Sequence, residues 1–148
     1  MTFSSIHRFA ILPMIGLASS LFAQTPIAIK WVAPSYPVLA KTVIETSGVV
    51  SVRISINSAG KVIYAKASSI NLLNQDVRLR MLFPASEAAA QNWIFAPSHD
   101  SRTADIYFAF HLYPPDTDID HLQPEWIAPN TVLVKAAIVR QPTSEMGL

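Results

Sequence analysis

Residues 49–68 read VVSVRISINSAGKVIYAKAS, and this stretch decides the fold. Apolar and polar side chains alternate from Val50 to Ile56, which is the period of a strand with one buried and one wet face. The polar residues 57–60 end in glycine and predict a turn, and residues 61–68 return as a second strand. Because the loop is short, the two strands are predicted to form an antiparallel hairpin.

Helical patterns lie on both sides of this hairpin. Residues 37–47 place apolar positions on one face of a short helix, with a proline in the first turn and Ser47-Gly48 at the end. Residues 84–92 are rich in helix formers, and residues 70–83 carry a helical stripe without a clear start.

Residues 105–112 alternate again and predict a third strand. The predicted class is therefore α+β: a small antiparallel sheet of three strands with helices packed on one face. Residues 131–139 allow a fourth strand within a proline-containing acidic tail at residues 113–148.

The N-terminus predicts export. His7 and Arg8 precede an apolar run at residues 9–23 that is shorter than the roughly 20 residues of a membrane-spanning helix. This pattern is typical of a signal peptide, here cleaved after Ala23, and it predicts a periplasmic or secreted protein with no membrane anchor after cleavage. An uncleaved anchor is the alternative. Residues 24–35 then form an extended lead-in.

Composition excludes several classes of function. The net charge of +1 argues against nucleic acid as a partner, and a 51% hydrophobic content excludes disorder throughout. The absence of cysteine rules out disulfides, thiolate catalysis and zinc–cysteine sites.

No catalytic or metal-binding motif is present. Asp116, Asp118 and Asp120 have the spacing of a calcium loop, but His121 and Ile127 stand where that loop needs Gly and Glu. The sequence carries no phosphate-binding loop and no nucleophile elbow. We therefore expect no enzyme activity, no catalytic residue, no metal and no cofactor. An enzyme of unrecognised type is the least favoured alternative.

Four short motifs occur in a specific order: Tyr36-Pro37 with Ala40, Gly48-Val49-Val50, Gly60-Lys61-Val62, and Trp93-Ile94-Phe95-Ala96-Pro97. Together they resemble the C-terminal domain of the TonB family, the TonB/TolA-like periplasmic domains, over residues 34–112. The chain differs from that family in a longer stretch between residues 69 and 93 and in the tail after Leu112. We also expect no membrane anchor after signal cleavage and no Pro-rich spacer before the domain, which the resemblance predicts to span residues 36–112.

The resemblance implies a protein-binding module that cannot itself transduce energy. An extended segment of an envelope or outer-membrane partner would add to an open sheet edge. The implied partner-binding residues are Tyr36, Pro37, Asp105, Ile106, Tyr107, Phe108, Ala109, Phe110 and His111. For Tyr36 the alternative is packing with one satisfied hydroxyl.

Two alternatives concern assembly. The chain is either a binding module or a structural homodimer whose edge strands pair or swap. Residues 130–136, NTVLVKA, loosely resemble the short extended box that receptors present to TonB-like domains. We hypothesise that this segment fills the edge of its own domain or of a neighbour. An ordinary fourth strand is the plainer interpretation.

Overall fold

The computed structural model of the chain describes residues 25–69 and 77–142. The signal peptide predicted at residues 1–23 lies outside these ranges, as does part of the helical stripe predicted at residues 70–83. In chain order the elements are β1 (Ala28–Lys30), α1 (Val38–Thr42), β2 (Gly48–Ile56), β3 (Val62–Ser69), a 3-10 helix (Val77–Leu82), α2 (Phe83–Gln91), β4 (Ile94–Phe95), β5 (Arg102–Tyr113), a second 3-10 helix (Ile119–Leu122), β6 (Glu125–Ile127) and β7 (Thr131–Ala137). No helix among the described residues has the length and hydropathy to cross a bilayer.

The predicted hairpin is confirmed, because β2 and β3 pair antiparallel. Asn57 shapes the turn by accepting the N–H of Lys61 on its side-chain oxygen at 2.9 Å. Gly60 has a φ of +88°, and a Cβ at this position would collide with the carbonyl oxygen of Phe95. Glycine is therefore required both by the left-handed backbone and by the close approach of the segment that follows α2.

Five strands form one mixed sheet in the order β3-β2-β5-β7-β6. β2 pairs antiparallel with β3 and β5, β7 pairs parallel with β5, and β6 pairs antiparallel with β7. β1 and β4 form a separate antiparallel pair. The predicted α+β class is confirmed. The predicted sheet of three or four antiparallel strands is wrong in the number of strands and in the direction of one pair.

The tail accounts for that difference. β7 is the strand predicted at residues 131–139, and residues 114–130 carry the chain back so that β7 starts beside the middle of β5 and runs parallel to it. β6 has only three residues, too few to show an alternating pattern in the sequence. The sheet therefore continues beyond the domain boundary predicted after Leu112.

The hydrophobic core lies against one face of the five-stranded sheet. Alternate residues of β2, β5 and β7 are buried there, together with residues of both α-helices and the segment that follows α2. Its largest fully buried side chains are Trp93, Phe108, Ile54, Ile56, Leu82, Ile106, Val50, Val52 and Val132. The tail thus contributes to the same core as the hairpin.

Both predicted helices are present, but α1 is shorter than predicted and α2 is shifted by one residue toward the N-terminus. α1 is only five residues long and buries Ala40, while Val38 and Leu39 are 67% and 60% exposed. α2 begins one residue before Pro84, which sits in the first turn as predicted. The 3-10 helix that precedes α2 buries Leu79 and Leu82, which anchor it to the core.

Candidate partner-binding edge of the sheet

The residues predicted to form an open edge lie in β5, which is a central strand. β2 pairs with one side of β5 along residues 102–110, and β7 pairs with the other side from Tyr107 to Tyr113. The prediction that the backbone of residues 105–111 forms an open edge is therefore wrong from Tyr107 onward. The physical reason is that the tail of the same chain supplies the neighbouring strand.

The side chains of this segment divide between the two faces of the sheet. Ile106, Phe108 and Phe110 are buried in the core. Tyr107, Ala109 and His111 alternate with them and lie on the opposite face. The first three are therefore packing residues, and a partner on this strand would meet only the second set.

Tyr36 is a core residue in this structure. Its side chain is 8% exposed, its ring meets Phe110 edge-on with centroids 5.2 Å apart, and its hydroxyl donates to the carbonyl of Thr46 at 2.5 Å. Burial raises the pKa of Tyr36 to about 12. This arrangement favours the packing alternative stated above, and partner contact by the Tyr36 side chain stays a prediction. Pro37 is partly buried just before α1.

Asp105 is engaged on the solvent-facing side of the sheet. Arg53 on β2 lies opposite it and donates from Nε at 3.0 Å and from Nη2 at 2.9 Å to its two carboxylate oxygens. These hydrogen bonds raise the pKa of the Arg53 guanidinium. The pair is solvent-exposed, so it contributes little to stability, but the Asp105 carboxylate already has a cationic partner in it.

One stretch of the β5 edge remains open. The N–H of Tyr107 donates to the carbonyl of Asn130 at 3.0 Å, and the side-chain amide of Asn130 donates to the carbonyl of Asp105 at 2.7 Å. Backbone groups alternate between the two edges of a strand, so Thr103 faces the same edge as Asp105 and Tyr107. The N–H and C=O of Thr103 and the N–H of Asp105 consequently point away from β2 at a place that β7 does not reach.

This open stretch borders a surface groove of about 1140 Å³. The lead-in, the segment after β4, the first half of β5 and the residue before β7 all contribute to its lining. Its lining residues are Thr25, Pro26, Ile27, Ala96, Pro97, Ser98, Asp100, Arg102, Thr103, Ala104, Asp105, Tyr107 and Asn130. An extended chain laid in this groove would lie beside unpaired backbone groups of β5.

A second, smaller depression of about 440 Å³ shares the lead-in wall with the groove. Trp31 and Trp126 stack there with ring centroids 5.9 Å apart, and Trp126 also lies 5.6 Å from the Trp93 ring. Ile27 and Ile29 in this wall are 69% and 64% exposed. The depression is mainly apolar and adjoins the groove without being part of it.

The two outer edges of the sheet are formed by β3 and β6. On β3 the N–H of Ala67 donates to the carboxylate of Glu87 at 2.9 Å, so a side chain of α2 blocks part of that edge. Ile63 and Tyr64 at the other end of β3 are 65% and 54% exposed. β6 offers only three residues.

No protein-family model matches this chain, and no curated protein matches it.

Sequence reasoning missed Arg102, Thr103 and Asn130, on which the site depends. Arg102 precedes the alternating pattern that marked the third strand, so nothing in the sequence joined it to that edge. Asn130 stood in the segment compared with a receptor box, but its side-chain bond to β5 has no sequence signature. The alternating runs in residues 105–112 and 131–137 indicate two strands, but they do not indicate that these strands pair with each other.

Proposed function

We propose that this chain is a secreted periplasmic protein-binding module that pairs a sheet edge with an extended segment of an envelope or outer-membrane protein. The single observation that carries the proposal is the unpaired stretch of β5 around Thr103, which borders a surface groove of about 1140 Å³. The proposed site is centred on Thr103, just before the segment 105–111 implied by the resemblance, because β7 pairs with β5 from Tyr107 onward.

The order of elements supports a TonB-like arrangement. A short helix, a hairpin, a second helix and a strand antiparallel to the first hairpin strand follow one another, with β2 between β3 and β5. In this proposal β7 acts as a built-in neighbour of β5 and shortens the edge available to a partner. The module binds but does not transduce energy.

The size of the open edge sets the expected affinity. Three backbone groups at Thr103 and Asp105 are available, and each hydrogen bond contributes about 0.5–1.5 kcal/mol net. Ordering the incoming segment opposes part of this gain. We expect a dissociation constant of about 1 mM or weaker for a short peptide without anchoring side chains.

The test uses a capped peptide with the sequence of residues 130–136 and the same peptide with alternate backbone amides N-methylated. Binding is followed through the amide chemical shifts of the ¹⁵N-labelled protein. Because pairing needs backbone N–H groups, we expect the unmodified peptide to shift the Ala104 and Asp105 amides and the methylated peptide to leave them unchanged. Equal effects from both peptides would overturn the proposal.

Thr103→Pro gives the matching change on the protein. The N–H of Thr103 faces away from β2, so proline removes a group needed by the partner and none needed by the sheet. Thr103→Val, at the same exposed position, is the control that keeps the N–H. The proline variant should melt close to the control yet lose the peptide-induced shift of Asp105. A proline variant that folds and still binds contradicts edge pairing at this site.

A structural homodimer is the second candidate, favoured by the exposed Ile63 and Tyr64 at the edge of β3. Two copies could join there through β3 as a continuous sheet. Light scattering after gel filtration separates the two functions. A tight dimer that Ile63→Lys converts to a monomer supports the scaffold, and a monomer at micromolar concentration contradicts it.

A further inference from the structure

The open stretch of β5 is richer in hydrogen-bond donors than in acceptors. Thr103 and Asp105 each direct an N–H toward the groove, while the Asp105 carbonyl is already occupied by the Asn130 side chain at 2.7 Å. The Thr103 carbonyl is left as the acceptor. A segment laid against this stretch must therefore bring more acceptors than donors.

Arg102 adds a further donor group to the groove. Its Nη2 donates to the carbonyl of Ala96 at 2.6 Å, but its buried Nε has no hydrogen-bond partner within the part of the chain that the structure describes. Arg53, by contrast, places both Nε and Nη2 on the Asp105 carboxylate. A buried N–H without an acceptor costs free energy. An acceptor in the groove that allowed the Arg102 guanidinium to rotate and hydrogen-bond its Nε–H would remove that cost.

The charges along the groove favour a carboxylate at Arg102. Among the described lining residues Arg102 is the only cation, and the acids are Asp100 and Asp105. Asp105 is neutralised by Arg53 on the other face of the sheet. Asp100 is exposed in the loop before β5, where solvent screens its repulsion. A planar guanidinium is suited to bind both oxygens of a carboxylate.

We infer that the groove accepts an extended segment bearing an acidic side chain, which Arg102 binds while the backbone of the segment pairs with Thr103. The inference rests on the proposed function and specifies the partner chemistry at the same site. The occupant is an aspartate or glutamate within an extended stretch of a partner protein.

The experiment is a double-mutant cycle between peptide and protein. Capped seven-residue peptides based on residues 130–136 carry Glu, or Gln as the uncharged match, at each position in turn. Titration followed by amide shifts is run on the wild type, on Arg102→Gln and on Lys66→Gln. The lysine variant loses the same charge from β3, outside the groove. At one position Glu should bind about tenfold more tightly than Gln to the wild type and to Lys66→Gln, because a charge-assisted pair at the half-buried Arg102 should contribute about 1.4 kcal/mol more than a neutral one.

In Arg102→Gln that preference should disappear, even if the variant is less stable, because a structural loss affects both peptides equally. A Glu preference that survives Arg102→Gln, or no preference at any position, overturns the inference. If an uncapped peptide, with its free C-terminal carboxylate, binds more tightly while no internal Glu does, the inference is also overturned. If Thr103→Pro still abolishes binding in those cases, the proposed function stands while the acidic preference fails.

Discussion

The side-chain amide of Asn130 donates to the carbonyl of Asp105 at 2.7 Å, and this bond marks where the edge of β5 changes from paired to open. On one side of it β7 continues the sheet, and on the other side the backbone of Thr103 faces the groove. One residue thus anchors the start of β7 and limits the hydrogen-bonding groups that a partner can reach.

Replacing Asn130 with alanine should destabilise the protein by about 1 kcal/mol, because the partly buried carbonyl of Asp105 loses its donor. Urea denaturation followed by circular dichroism measures the change. The same substitution frees an acceptor in the groove, so the preference for Glu over Gln peptides should weaken.

Asn92→Ala is the matched control for that variant. Its side chain also donates to a backbone carbonyl, that of Ala88 at 2.9 Å, but at an exposed position outside the groove. It should leave the ratio of Glu to Gln peptide affinities unchanged. An Asn130 variant that behaves like this control would show that the bond to Asp105 has no effect on the groove.

Removing side-chain volume from β7 should destabilise the whole domain. Val132 is fully buried in the same core as the hairpin, and truncation to alanine should cost about 2 kcal/mol, from the lost burial of two methyl groups and the cavity that remains. Val139→Ala, at a position that is 47% exposed, should change stability by less than about 0.5 kcal/mol.

Thermal and urea unfolding of the two valine variants measure whether β7 is part of the hydrophobic core. If Val132→Ala matches Val139→Ala, the tail is a loosely attached segment and not part of the core. If Val132 is part of the core, truncating the chain after Pro115 should unfold the domain, since the cut removes three buried residues of β7: Val132, Val134 and Ala136. Such a truncation therefore cannot be used to test peptide binding.

Local pattern predicted the part of the fold that depends on neighbours in sequence. The hairpin followed from alternation and a glycine turn, and α2 followed from its composition and Pro84. The parallel pairing of β7 with β5 did not follow, because a 17-residue connection separates the two strands and periodicity carries no information on pairing across such a distance.

The candidate site was predicted in part for the same reason. The sequence indicated the strand that carries the open edge, since residues 105–112 alternate clearly. It did not indicate which groups along that strand stay open, because this depends on where Asn130 meets Asp105. The role of Tyr36 was also open in the sequence, since a tyrosine beside a proline fits a surface contact and a packed ring equally well.

The burial of Tyr36 predicts a loss of stability at high pH. Its pKa is raised from 10.0 to about 12 in the folded protein, because burial disfavours the phenolate. The unfolded chain releases this proton first, so the free energy of unfolding should be unaffected below pH 10 and fall as the pH rises from 10 to 12. Urea titrations at pH 8, 10 and 11.5 measure the fall, and Tyr36→Phe should reduce it.

Tyr64→Phe is the control for this prediction, because Tyr64 is 54% exposed and its hydroxyl lies outside the core. That variant should keep the alkaline loss of the wild type. Tyr36→Phe also removes the hydroxyl bond to Thr46, so at pH 8 it should be less stable than the wild type, and the two curves should converge as the pH rises. Parallel curves for Tyr36→Phe and the wild type would mean that Tyr36 ionises as readily in the folded chain as in the unfolded one, which is incompatible with a ring packed against Phe110.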